Sequence, residues 1–192
     1  LVGSEMCIRD SARAIDLEDS NLFALNRFPG YDRVEDGARV TYGFDWSLRI
    51  PDWELKTNVG QSYRLDSDRD ILPVGTGLSE RFSDFVGRTE VRYKNFLKFT
   101  HRFRLDKDNL AIRRNEIDAT VGSSRTYAEI GYVRLDRDIT QVEDLQDREE
   151  LRGAVRVAFA NYWSLFGSGV FNLTDREEDP TLASDGFDPI RT

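Results

Sequence analysis

From about Ala38 to Leu173 apolar and polar residues alternate, reverse through a short turn and alternate again. Val40, Tyr42, Phe44, Trp46, Leu48 and Ile50 share one parity, and Thr41, Gly43, Asp45, Ser47 and Arg49 the other. A period of two sustained this long predicts a β-strand with two chemically different faces. Pro51-Asp52 supplies the turn, because proline fixes φ and an aspartate carboxylate bonds nearby backbone. The returning strand sets Trp53, Leu55, Val59, Tyr63 and Leu65 against Glu54, Lys56, Asn58, Ser62 and Arg64. A second hairpin places Thr89, Val91 and Tyr93 opposite Arg88, Glu90 and Arg92. It turns near Lys94-Asn95 and returns with Leu97, Phe99, Phe103 and Leu105 against Lys98, Thr100, Arg102 and Arg104. The third hairpin is weaker. Ile117, Ala119 and Val121 oppose Glu116, Asp118 and Thr120, then 122–125 turns into Tyr127 to Leu135, where parity slips after Tyr132 and predicts a bulge. The fourth carries Leu151, Val155, Val157 and Phe159 against Arg152, Ala154, Arg156 and Ala158, and returns through Trp163, Leu165, Phe171 and Leu173.

The connections are asymmetric. Turns at one end are short, whereas the other end has loops near 66–84, 106–110, 137–149 and 174–192, three of them long. A small repeat marks that end: Tyr63-Arg64-Leu65-Asp66, Phe103-Arg104-Leu105-Asp106 and Val133-Arg134-Leu135-Asp136 each close a returning strand, with an acid after the last outward leucine. Short turns on one side and long loops on the other are the habit of outer-membrane barrels. The expected fold class is therefore all-β: an antiparallel transmembrane β-barrel fragment of about eight strands in consecutive hairpins, forming an open curved sheet.

Alternation alone does not say which face meets water. A soluble sandwich hides the apolar face, whereas a membrane barrel turns it to lipid and keeps the polar face for a wet lumen. Three features favour the barrel. Its strands are long enough to cross a bilayer when tilted. Trp53, Tyr63, Tyr93, Phe96, Phe103, Tyr162 and Trp163 cluster near strand ends, as an interfacial girdle requires. The polar face carries long side chains of both charges. Two other readings share the alternation: a complete small eight-strand barrel of porin or adhesin type, and a soluble β-sandwich binding module. The small barrel is disfavoured because the chain from Gly186 to Thr192 reads as loop rather than as a closing strand.

Composition narrows the function. The 192 residues carry 27 Lys and Arg against 35 Asp and Glu, a net charge of -8, which excludes a nucleic-acid partner of the usual basic kind. Hydrophobic residues make up 39%, too few for a soluble core of this size but sufficient where only alternate strand positions are apolar. Cys7 is the single cysteine, so neither an internal disulfide nor a zinc site is expected. No signal peptide is legible at the start. Residues 1–11, LVGSEMCIRDS, resemble a translated sequencing-adapter read and are set aside as non-native. The remaining organisation expected is an ordered loop over 12–37, barrel hairpins over 38–173 and a truncated extracellular loop over 174–192.

The stretch 19–37, Asp19-Ser20-Asn21-Leu22-Phe23 through Asn26-Arg27-Phe28-Pro29-Gly30-Tyr31-Asp32-Arg33-Val34-Glu35-Asp36-Gly37, followed by Arg39, Val40, Tyr42 and Gly43, resembles the C-terminal barrel region of the LptD family of lipopolysaccharide-assembly proteins. Weaker pieces of the resemblance continue through Gly60 to Leu65, Ser83 to Gly87 and Phe103 to Asp106. It implies an outer-membrane translocon of a Gram-negative cell, which inserts lipopolysaccharide into the outer leaflet and breaks no bond. It further implies an LptE-like plug lipoprotein, a periplasmic LptA-like bridge, and outer-membrane lipid around the barrel. The chain departs from the family in extent, lacking the periplasmic jellyroll, the disulfide cysteines of some members and the final strands. No catalytic residue, cofactor or metal is expected.

Within the family-like loop, Asn21, Arg27, Gly30, Asp32, Glu35 and Gly37 are the motif residues. The charges of Arg27, Asp32, Arg33, Glu35 and Asp36 suit either loop ordering or contact with lipopolysaccharide phosphates or the plug; loop ordering is the commoner use. Asp66, Asp68 and Asp70 alternate like a calcium loop, but Ile71 and Gly77 stand where an EF-hand needs Gly and Glu. His101, the only histidine, shares parity with Phe99 and Phe103 and has no nucleophile partner, so it reads as interfacial. Glu116 and Asp118 share a strand face without a cleft, which is not a glycosidase pair. An outer-membrane enzyme is thus the least supported class. Arg49, Arg64, Arg102, Arg104, Arg152 and Arg156 fall on the polar parity and are expected to face the lumen, pairing with acids and with the plug.

Overall fold

The computed structural model describes residues 17–24, 37–65, 77–78, 80–136, 148–159 and 162–173. Among them eight strands form one antiparallel sheet in sequence order: β1 (Arg39–Ile50), β2 (Trp53–Arg64), β3 (Phe85–Tyr93), β4 (Leu97–Leu105), β5 (Ile112–Gly122), β6 (Tyr127–Leu135), β7 (Arg148–Ala158) and β8 (Ser164–Asn172). Each strand pairs only with its chain neighbours, and β1 and β8 do not meet, so the sheet is open with two free edges. The expected fold class, an all-β antiparallel wall of consecutive hairpins, is what the chain adopts.

The turns follow from local chemistry. Pro51-Asp52 reverses β1 into β2 with Ile50 opposite Trp53, and Asp52 takes a left-handed φ of 71°. Lys94, at φ 49°, opens the β3–β4 turn, whose Phe96 N–H bonds the Tyr93 carbonyl at 3.1 Å. Gly122 sits at φ 130°, where a side chain is strained, and its N–H reaches the Phe96 carbonyl at 2.7 Å. At the opposite end Asp106 organises the β4–β5 loop. Its Oδ1 accepts the Asp108 N–H at 2.9 Å, and its Oδ2 accepts Arg113 Nη2 at 3.0 Å.

Register runs without interruption except at one point. Pairing shifts between Arg104 and Leu105 as β4 meets β5. The bulge expected in the third hairpin is absent from β6, whose pairing with β5 is continuous from Gly122↔Tyr127 to Arg114↔Leu135. The apparent slip has another cause. Continuous register turns Val133 and Leu135 to the polar face and Arg134 to the apolar one, so Leu135 is buried. The leucine of the third repeat therefore points opposite to that of the second.

Burial is inverted relative to a soluble sheet. Phe44 is 65% exposed and Val157 42%. Leu55 and Phe99 are only partly covered. On the other face Thr100, Arg104, Glu90 and Glu116 are buried. Among the described residues the cluster of buried apolar side chains, Leu17, Leu22, Leu78 and Val86, lies on that polar face. No second layer covers the apolar side among the described residues. An apolar surface of this extent is untenable in water, and the soluble-sandwich reading does not describe it.

One close contact on the apolar face is set by glycine. Phe103 stands opposite Gly87, and a Cβ at Gly87 would meet the Phe103 ring and the Asn58 carbonyl oxygen, the latter at 2.8 Å. Gly87→Val should lower the unfolding free energy of the detergent-refolded full-length protein by about 1–3 kcal/mol, the usual cost of overpacking. Combining it with Phe103→Leu should recover part of that loss in denaturant titrations, and no recovery would show that the backbone carbonyl alone sets the cost.

Candidate functional site

The polar face is assembled in rows by the cross-strand register. One row contains Arg49, Glu54, Arg92 and Lys98; the next contains Lys56, Glu90, Thr100, Asp118 and Arg152. A third contains Asp45, Asn58, Arg88, Arg102 and Glu116, and a fourth Gly43, Gly60, Val86, Arg104 and Arg114. Ion pairs knit them together. Glu54 bonds Arg49 at 3.0 Å and Lys56 at 3.1 Å, Glu90 holds Arg92 at 2.6 Å and Arg88 at 2.9 Å, and Arg152 crosses to Asp118 at 2.7 Å. Gly131 makes room for that last pair, since a Cβ there would strike the Arg152 side chain.

All six arginines expected on one face are found on it. Arg49, Arg102, Arg104 and Arg152 join ion pairs, Arg156 lies exposed beyond the last charged row opposite Tyr127, and Arg64 bonds the Leu78 carbonyl at 3.2 Å. Arg104 is the most deeply buried, 1% exposed, with Nε 3.5 Å from Asp84 Oδ2. Glu116 and Asp118 serve arginines, as two separate partners. His101 lies on the apolar face, its Nε2 2.9 Å from Asn115 Oδ1. Of the family-motif residues, Asn21 and Gly37 are described; Arg27, Gly30, Asp32 and Glu35 lie outside the described residues, as do Arg33, Asp36, Asp66, Asp68, Asp70 and the segments 1–11 and 174–192.

Sequence reasoning expected an ordered loop over 12–37 but did not foresee where its segment 17–24 lies. It crosses the polar face as a strap, with a turn in which the Ala24 N–H bonds the Asn21 carbonyl at 3.1 Å and Asn21 Oδ1 accepts the Glu18 N–H at 2.9 Å. Leu22 sits over Gly60, where a Cβ would come within 2.5 Å of it, and Phe23 lies over Gly43. Glu18 Oε1 reaches Arg114 Nη1 at 2.8 Å, Asp19 Oδ1 stands 4.0 Å from Arg102 Nε, and Arg39 bonds the Ala24 carbonyl. A cavity of about 240 Å³ remains between strap and wall, bordered by Asp19, Asp45 and Asn58. The legible signal was the glycine pair Gly43↔Gly60, a gap in an otherwise long-chained polar face.

The segment before β3 closes over the same end. The Asp84 N–H bonds the Gly77 carbonyl at 3.0 Å, and Asp84 Oδ1 accepts the Lys107 N–H at 3.3 Å. Burial raises the Asp84 carboxyl from 3.8 to about 6, with the Asp106 charge adding to the rise and Lys107 and Arg113 opposing it. Asp106 is held below its ordinary value, chiefly by the Asp108 N–H, and Lys107 is raised by Asp108 and Glu80.

At both ends of the apolar face aromatics gather. Trp53 and Tyr93 stack at 4.7 Å, with Lys94 Nζ 5.5 Å above the Tyr93 ring, and Tyr162 and Trp163 are exposed at the same end. At the long-loop end Tyr63 and Phe82 meet at 4.6 Å. The aromatic cluster at the short-turn end and the Tyr63–Phe82 pair at the other are separated by strands of 9–12 residues, long enough to cross a bilayer when tilted.

The family model described as LptD, LPS transport system D, matches residues 7–177. The chain belongs to the LptD family. Its apolar belt and ion-paired polar face are thus those of an outer-membrane β-barrel wall in lipopolysaccharide transport. No curated protein and no solved structure matches it.

Asp84 yields a pH prediction. Its folded pKa lies above its unfolded one, so the folded state takes up the extra proton between about 4 and 6. The stabilisation is full at low pH and is lost as pH rises through about 6. Amide exchange around residues 77–84 should therefore quicken from pH 4 to 7 beyond its intrinsic dependence, and Asp84→Asn should flatten the trend.

Proposed function

We propose that the polar face of this LptD-family chain lines the hydrated lumen of a closed outer-membrane barrel, where it helps insert lipopolysaccharide into the outer leaflet without making or breaking covalent bonds. The single observation that carries the reading is the inversion of faces: side chains such as Phe44 are bare while charged ones such as Glu90, Arg104 and Glu116 are covered. Hydrocarbon stabilises the first arrangement, and only a wet or ion-paired interior tolerates the second. Further strands pairing with the free edges of β1 and β8 complete the ring. In this reading 38–173 are barrel hairpins, 12–37 an entry loop and 174–192 an extracellular loop, with 1–11 foreign to the protein. An LptE-like lipoprotein plugs the lumen against the arginine rows, and an LptA-like periplasmic bridge delivers the glycolipid at the short-turn end. The location is the outer membrane of a Gram-negative cell.

Single cysteines at Phe44, Leu55, Phe99 and Val157 in the full-length protein should carry fluorophores quenched from the lipid phase. Cysteines at Ser47, Lys56, Thr100 and Arg156 should be quenched only from water. The opposite pattern would overturn the lumen assignment. In the same protein Arg102→Glu with Arg104→Glu should reduce plug co-purification and glycolipid delivery several-fold, because acids then face Glu116 and Asp84. Unchanged association would remove these arginines from any role in seating the plug.

A further inference from the structure

Arg88 is the direct cross-strand partner of Arg102, and Arg104 of Arg114. Like charges set opposite each other repel, so four guanidinium groups on three adjacent strands need anions. The wall supplies Glu90 to Arg88 at 2.9 Å and Glu116 shared between Arg102 at 3.4 Å and Arg114 at 2.5 Å, and the segment before β3 supplies Asp84 to Arg104 at 3.5 Å. The remainder comes from the strap, through Glu18 on Arg114 and Asp19 towards Arg102. The fit is incomplete. The Nε–H groups of Arg88 and Arg102 are buried and reach no hydrogen-bond acceptor among the described residues. Buried donors of this kind mark a place where an acceptor belongs.

We propose that Arg88, Arg102 and Arg114 form a binding site for phosphate groups, occupied in this structure by Glu18 and Asp19 as an internal, displaceable stand-in. The inference rests on the polar face being lumenal. A phosphate presents three oxygens and up to two charges, so it satisfies several guanidinium N–H groups at once where two carboxylates on a strap do not. The strap is suited to release. Its apolar hold is confined to Leu17, Leu22 and Phe23, and it meets the wall where Gly43 and Gly60 leave the floor bare. An anion carried along the lumen would trade places with Glu18 and Asp19, lifting the strap as it binds.

The test uses the full-length protein in phosphatidylcholine nanodiscs with a nitroxide on Ser20→Cys, a strap position exposed to solvent. Inorganic pyrophosphate should mobilise the label at concentrations where sodium chloride of equal ionic strength does not. Glu18→Gln with Asp19→Asn should tighten pyrophosphate binding by calorimetry about tenfold, as loss of a charge-assisted competitor implies. Arg88→Gln with Arg102→Gln should abolish it. Glucosamine 1-phosphate, run beside inorganic phosphate, separates the sources: action at lower concentration assigns the site to sugar phosphates, and equal action to free phosphate. Identical responses to pyrophosphate and chloride, or undiminished binding by the arginine variant, would overturn the proposal. A water-soluble thiol reagent on Ser20→Cys separates the two failures. If it reacts while pyrophosphate has no effect, only the phosphate site is lost; if it cannot react, the hydrated-lumen reading is lost with it.

Discussion

Backbone pairing leaves this sheet no choice about what its two faces must meet. Every interior strand satisfies its N–H and C=O groups against two neighbours, so the wall is self-sufficient in backbone hydrogen bonds even where water is absent. The apolar side chains then stand unshielded in a broad band, with Trp53, Tyr93, Tyr162 and Trp163 at one margin and Tyr63 and Phe82 at the other. Burying one such side chain in an apolar medium gains about 1.5–3 kcal/mol, and the band offers many of them. Hydrocarbon is the medium that collects this gain while leaving the sheet a single layer.

The same geometry makes electrostatics the problem of the opposite face. Guanidinium groups and carboxylates taken out of water lose hydration, and their attraction offsets the loss only if charges match closely in space. The wall does this by sharing. Glu54 meets three cations, Glu90 two and Glu116 two; Glu54 and Glu116 are held from more than one strand, and Glu90 by two arginines of its own strand. Towards the long-loop end this balance tips to the cationic side, and there the strap and the Asp84 segment descend. Covering segments and charge imbalance thus occur at one place, where Glu18, Asp19 and Asp84 bring acids to Arg114, Arg102 and Arg104.

Alternation made the wall legible. The strand starts at Trp53 and Tyr127, the Pro51-Asp52 and Lys94-Asn95 turns and the face of all six named arginines follow from parity, because the backbone fixes side-chain direction with a period of two. Parity misleads where chemistry on the two faces converges. Tyr132 and Leu135 look like successive outward residues interrupted by a bulge, yet unbroken register sends Leu135 to the polar face, where it is buried and a leucine is as well placed as in lipid. Arg134 then faces out at the rim across from Glu149. Similar repeats in sequence therefore do not imply similar orientation.

The seat of the strap was not legible for a related reason: an ordered loop over 12–37 is expected, but a segment of eight described residues has no periodicity to say what it lies on, and its partners are remote in sequence. What specifies its seat is complementarity of a different sort. Leu22 and Phe23 need a floor without side chains, and Gly60 and Gly43 are paired to provide one. Glu18 and Asp19 need cations further along the sheet, and Arg114 on β5 and Arg102 on β4 stand there, the Nε–H of Arg102 buried without an acceptor among the described residues. Small residues beside an arginine excess form a composite seat, apolar in one half and cationic in the other. A chain segment bearing leucines and acids fills it, and the proposed phosphate site would let an amphiphile that joins a greasy part to a phosphate match the same two halves. The likeness between what the strap offers and what a phosphorylated glycolipid offers is a matter of chemistry, and under the proposed phosphate site occupancy of this seat is a contest between the protein's own loop and such a ligand.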